Sequence, residues 1–279
     1  MLIINLNNMV VKKLIFLILL IITLGCSRNN TEEPDTENPT TGGCIECNAM
    51  QCNEGVCIED KYEFPDISEM NDWERPNIIQ ERINCLQIPD ACLKILSTKG
   101  LLETCLEFPY LSDIFFYNDY QTGFNALVHE FNGYSELLKR PDLINVLIEK
   151  YAGIGAEIPA IRLQSDISLG RFSFRLFVLE FILAQDIVVE NFSKEQEKTL
   201  VLLSFENKEI INNNPDIFNS STHAVARNLL YAKIVINDPC FEFESIEQKN
   251  EVLGFIQTPK YSNQQTADYI ENYIYEKYK

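Results

Sequence analysis

The chain has 279 residues, 46% of them apolar, and carries 23 basic against 41 acidic residues for a net charge of −18. That make-up is neither fibrous nor wholly disordered, and the length allows one or two domains with a substantial core. The acidic excess argues against nucleic acid as a partner, because affinity for phosphate backbones is largely neutralisation by cations.

Residues 1–25 hold Lys12 and Lys13, no acid, and an apolar run from Leu14 to Leu24. At ~1.5 Å per residue that run spans about half of a ~30 Å hydrocarbon core, so it is expected to be the apolar region of an export signal and not a membrane span. Met9 would start an equally good signal. The run ends in Ile22-Thr23-Leu24-Gly25-Cys26-Ser27, which resembles the lipobox of bacterial lipoproteins, with Thr23 where Leu is usual. The resemblance implies that Cys26 is diacylated and becomes the first residue of the mature protein, anchored to the membrane through its acyl chains. Ser27 implies an outer-membrane address, and the acidic Thr31-Glu32-Glu33 is similar to the surface-export tether of Bacteroidota lipoproteins. Loss of Lys12 and Lys13 with the signal takes the net charge from −18 to −20.

Residues 26–43 contain no apolar run and are expected to form a solvated tether reaching up to roughly 60 Å. Residues 44–70 begin with Cys44, Cys47, Cys52 and Cys57, four cysteines within 14 residues. In an oxidising envelope such a cluster is expected to form two disulfides, not a metal site, with three pairings open. This part is expected to be a small disulfide-stapled neck, and Trp73, just beyond it, a packing anchor.

From about Asn71 to the end, residues 71–279 are expected to be one all-α domain, an irregular helical bundle or a short α-solenoid. Phe124, Leu127, Val128 and Phe131 fall at i, i+3, i+4 and i+7 on one helical stripe. Ser193-x-x-Gln196, Ser245-x-x-Gln248 and Ser262-x-x-Gln265 match the capping box, in which serine and glutamine side chains reciprocally satisfy unpaired backbone N–H groups. Pro76, Pro89, Pro141 and Pro159, then Pro215 and Pro239, are expected at helix starts and stops. Cys85 and Cys92 flank the corner Ile88-Pro89-Asp90 and are further disulfide candidates, whereas Cys105 and Cys240 are expected to pack as thiols.

Residues 88–142 carry Ile88-Pro89 with Leu93-Lys94, then Ser97-Thr98, Leu101 and Glu103-Thr104-Cys105-Leu106, then Phe131-Asn132-Gly133, and end in Glu136-Leu137-Leu138-Lys139-Arg140. This segment resembles a group of uncharacterised lipoproteins and secreted proteins of Bacteroidota, a resemblance that brings no activity with it.

Neither histidine shows a motif. His129 projects away from the Phe124 stripe and is expected to face solvent, and His129-Glu130 lacks the second histidine of a zinc-protease helix because position 133 is Gly. His223 opens the helix expected over Thr222–Ile236, one turn before Arg227. There is no phosphate loop, dinucleotide fingerprint or Gly-x-Ser-x-Gly elbow, and no cofactor or metal is expected. Glu180 is the most informative polar residue. On the apolar helix expected over Phe172–Val188 it falls beside Ser173, so burial would require a partner, with Arg162 and Arg227 as candidates. Exposed rings are expected at Tyr275 and Tyr278. The expectation is a lipid-anchored envelope binding or accessory module with a protein or glycan partner, the alternative being an envelope hydrolase that works through carboxylates.

Overall fold

A computed structural model describes residues 60–64, 83–260 and 262–279, all within the compact unit Gly43–Lys279. Among these residues there is no strand. The helices are α1 (Asp90–Ile95), α2 (Thr98–Leu106), α3 (Tyr120–Glu130), α4 (Asn132–Leu137), α5 (Leu143–Ala152), α6 (Ile154–Ile161), α7 (Asp166–Leu183), α8 (Asp186–Val189), α9 (Lys194–Asn213), α10 (Ser220–Ile236), α11 (Ile246–Gln257) and α12 (Gln264–Tyr278). A single 3-10 segment, Leu111–Phe116, precedes α3 and packs on it. The architecture is the all-α one expected. Among the described residues no helix is long and apolar enough to cross a membrane.

The centre of the bundle is α7. Every residue from Leu176 to Leu183 is buried, which is what an apolar sequence on all sides of a helix requires. α7 lies along α10 and also meets α2, α5 and α6, while α9 packs against α5, α10 and α12. This places α5, α7, α9 and α10 around a common interior.

The N-terminal part is held by a few specific contacts. Asn132, between α3 and α4, accepts from the Ile88 N–H at 3.0 Å and donates to the Ile88 carbonyl at 2.8 Å. Gln87 donates to the Glu130 carbonyl at 2.9 Å and accepts from the Asn132 N–H at 2.9 Å. Four hydrogen bonds thus tie the Ile88-Pro89 corner to the Phe131-Asn132-Gly133 turn. These two fragments of the segment 88–142 are one structural joint. Gly133 is required there because a Cβ would sit 2.4 Å from the Phe131 ring. The short segment 60–64 lies over α2: the Tyr62 N–H donates to Thr104 Oγ1 at 2.9 Å, and the Asp60 carboxylate takes the Ser97 N–H at 2.8 Å. That approach explains Gly100, whose Cβ would lie 1.7 Å from the Asp60 carbonyl oxygen.

Local signals hold with four corrections. Ser193 and Gln196 form both halves of a capping box at α9. At α11, Ser245 caps the Gln248 N–H, but the Gln248 side chain takes the Glu244 N–H one residue earlier. At α12 the cap is Asn263, whose Oδ1 accepts from Gln265 and Thr266; Ser262 turns instead to accept from Asn228 at 3.0 Å. Asn263, one residue closer to the helix, takes the cap with its side-chain carbonyl. Pro159 does not punctuate but lies inside α6, so its ring leaves the Gly155 carbonyl without its usual N–H donor. The Cys85–Cys92 pair does not form: Cys92 is disulfide-bonded with a partner outside the described residues, which uses its sulfur valence, and Cys85 is a buried thiol. Cys105 is a buried thiol and Cys240 an exposed one. Cys26, Cys44, Cys47, Cys52, Cys57, Trp73 and Pro76 lie outside the described residues.

Two measurable consequences follow from the helix ends. Ser193→Ala removes the acceptor for the Gln196 N–H at 3.1 Å and is expected to cost about 1 kcal/mol in urea unfolding. At the other end, α12 is docked through Asp238, which accepts from Tyr273 Oη at 2.6 Å and the Cys240 N–H at 3.0 Å and pairs with Lys277. Burial pushes the Asp238 carboxyl up, but Lys277, Tyr273 and the Cys240 N–H together outweigh it and hold the group at about 2. A carboxylate held below its unfolded value of about 3.9 contributes stability that is complete above pH ~4 and disappears as pH falls through ~2. Urea midpoints across that window are expected to fall more steeply for the wild type than for Asp238→Asn.

Candidate functional site

The most concentrated polar chemistry in the interior is built on α7 and α10. Glu180 is 3% exposed, set within the wholly buried stretch Leu176–Leu183. Its Oε1 accepts from Tyr151 Oη of α5 at 2.9 Å, and its Oε2 lies 2.7 Å from His223 Nδ1 of α10. The other ring nitrogen, His223 Nε2, lies 3.3 Å from Ser173 Oγ, two turns before Glu180 on α7. Arg227, one turn beyond His223, places Nη1 3.8 Å from Glu180 Oε1. Carboxylate, imidazole and hydroxyl therefore form a continuous chain.

The surroundings fix this chain tightly. Asn207 of α9 is buried and donates to the Tyr151 carbonyl at 2.9 Å, and Ser204 of α9 shares a 2.6 Å hydrogen bond with Tyr231 of α10. Burial pushes the Tyr151 phenol well above its ordinary value, and the nearby Glu180 charge pushes it the same way against the opposing pull of Arg227. Tyr151 therefore stays a hydroxyl and a donor. With Tyr151 donating and the Arg227 guanidinium adjacent, Glu180 accepts at both oxygens, and the remaining donor to it is His223 Nδ1–H. That leaves the Nε2 lone pair directed to Ser173. Arg227 is 5% exposed, yet its Nε and Nη1 make no hydrogen bond. Its pairing with Glu180 is thus coulombic, and removal of the carboxylate would strand a buried cation.

Glu180 is buried as expected, and of its two candidate partners Arg227 is present while Arg162 is not. Arg162 forms an exposed pair with Asp216 at 2.8 Å. His129 is exposed as expected. His223 corrects the sequence reading, which gave it no partner. α10 begins at Ser220 with Asn219 as its cap, and not at Thr222, and the imidazole lies in the core against the Phe218 and Phe177 rings at 5.5 and 6.5 Å. The signal was present in the pairing of two spacings. Ser173 and Glu180 at i, i+7 and His223 and Arg227 at i, i+4 are the polar positions on the inner faces of two apolar helices.

Two of the surface cavities gather polar side chains. A cleft of about 430 Å³ lies between α3, the α7 to α8 joint, α10 and α11. Gln121, Asn125, Gln185 and Gln257 line it together with the half-buried Val128 and the exposed Ile187. Gln121 donates to Gln185 Oε1 at 2.8 Å and to Asn125 Oδ1 at 2.9 Å, and the buried Lys233 reaches Asp186 at 2.7 Å. A second cavity of about 270 Å³, beside α2 and α5, gathers Glu103, Glu149 and Glu157 with Lys99 and Lys150. Each of these carboxylates is ion-paired: Lys150 holds Glu103 at 2.8 Å and Glu157 at 3.0 Å, and Lys99 holds Glu149 at 2.7 Å. Tyr275 is 40% exposed, whereas Tyr278 is half-buried and bonded to Glu197. Among the described residues no group of three or more His, Cys, Asp or Glu side chains is placed to hold a metal ion.

No protein-family model matches the chain, and neither a curated protein nor a solved structure matches it.

Proposed function

We propose that the protein is a lipid-anchored outer-membrane module that binds an extended peptide segment of another envelope protein. Cys26 carries the anchor and residues 26–43 the tether that sets the helical domain off from the lipid. The cleft between α3 and α11 is the observation that carries the reading. Beside the mutually bonded Gln121 and Gln185, the carboxamides of Asn125 and Gln257 line it, and Val128 and Ile187 offer apolar contacts between them. A glycan is the weaker occupant, since the aromatic ring lining the cleft nearest α3, Phe124, is buried and presents no face for stacking. A hydrolase acting through carboxylates is the weaker activity, because the carboxylates gathered around the second cavity are neutralised by lysines and Glu180 has both oxygens engaged.

The test is crosslinking and capture of the tagged full chain from native envelopes, beside the Cys26→Ala and Ile187→Asp forms. A stoichiometric protein captured by the anchored wild type and lost in both variants is expected. Equal capture by Ile187→Asp would remove the cleft from the account, and equal capture by Cys26→Ala would remove the anchor.

A further inference from the structure

We infer that Ser173, His223 and Glu180 act as nucleophile, base and orienting acid in hydrolysing carboxylic esters with an apolar acyl group, an activity that does not depend on the peptide-binding reading. The inference rests on the juxtaposition of Ser173 Oγ, both ring nitrogens of His223 and Glu180 Oε2 in one chain of contacts at 3.3 and 2.7 Å. The order is the one nucleophilic catalysis needs: hydroxyl on one nitrogen, carboxylate on the other. Serine hydroxyls inside helices commonly fold back onto the carbonyl four residues earlier, but the partner of Ser173 is the imidazole. Tyr151 fixes the second carboxylate oxygen, so the acid that orients His223 is itself oriented.

Access and environment fit an apolar ester. Ser173 is half-buried, and Gly170, one turn earlier on the same side of α7, is exposed with open space where a side chain would stand. The Phe218 and Phe177 rings meet the imidazole edge-on, an apolar surround that matches an acyl chain rather than a charged one. The backbone of α7 is helical through Ser173, so its N–H groups are spent on carbonyls of the preceding turn. Backbone donors without an acceptor in their own helix are found at Ser220 and Ser221, which open α10, the element that carries His223.

In the first half-reaction Ser173 Oγ bonds to the ester carbonyl carbon while its proton passes to His223 Nε2. The bond to the alcohol oxygen breaks, and the proton leaves with the departing alkoxide. In the second, water adds to the acyl carbon as Nε2 takes its proton, the bond to Ser173 Oγ breaks, and the proton returns to the serine. One ester and one water become one acid and one alcohol.

The experiment treats the full chain with a fluorophosphonate probe and maps the adduct by mass spectrometry, alongside p-nitrophenyl butyrate hydrolysis by wild type and Ser173→Ala. Because Ser173 contributes a half-buried hydroxyl, Ser173→Ala is expected to keep the helical circular dichroism of the wild type. A single adduct on Ser173, with hydrolysis lower by on the order of 100-fold or more in Ser173→Ala, is the expected result. Folded protein without an adduct at Ser173, an adduct elsewhere, or hydrolysis unchanged in Ser173→Ala overturns the inference.

Discussion

Glu180→Ala is expected to destabilise the domain by about 3–5 kcal/mol in urea unfolding, the largest effect of any polar substitution in the chain. The loss of a carboxylate is the smaller part of that cost. What remains is Arg227, 5% exposed and already short of hydrogen-bond acceptors, facing a Tyr151 hydroxyl and a His223 N–H that have lost theirs. Glu180→Leu combined with Arg227→Met removes both charges while filling the space with apolar atoms, and is expected to recover most of the loss. The sum of the two single effects should therefore exceed that of the double variant by several kcal/mol, of the order found for charged pairs in one network.

Phe131→Ala is expected to cost a similar amount, about 3–5 kcal/mol, through a cavity and not through charge. Phe131 is wholly buried, stacks on Phe108 with centroids 4.2 Å apart, and meets Tyr134 edge-on at 5.9 Å and Phe64 tilted at 5.7 Å. It also stands beside the Asn132 joint that ties the Ile88-Pro89 corner to α4. Truncation should thus loosen the 60–64 segment as well as lower global stability. Faster amide exchange at Tyr62, whose N–H is bonded to Thr104, is the accompanying measurement.

What the sequence made legible was mostly local. The apolar stripe of α3 is buried at Phe124, Leu127 and Phe131, and the Ser193 capping box forms in full, because both depend on residues within a turn or two of one another. The Ser262 motif failed for an equally local reason, since Asn263 offers a competing acceptor one residue later. Glu180 was legible as buried because α7 has no wet face to give it. Its principal partners were not. Tyr151 lies 29 residues away and His223 43, and each looked unremarkable in its own helix. His223 showed no catalytic partner in the sequence because Glu180 and Ser173 stand 43 and 50 residues away on another helix. The Cys85 and Cys92 pairing failed similarly, since spacing along the chain says nothing about which other cysteine reaches Cys92 first.

Both the energetic account of the core and the chemistry assigned to Ser173 depend on how the proton sits on His223. Long-range proton–nitrogen correlation spectra of the histidine-labelled full chain report this directly. The account requires a protonated Nδ1, hydrogen-bonded to Glu180 and slow to exchange, and an unprotonated Nε2 facing Ser173. An imidazole protonated at Nε2 with a bare Nδ1 would mean that Glu180 holds the proton instead, and would contradict both.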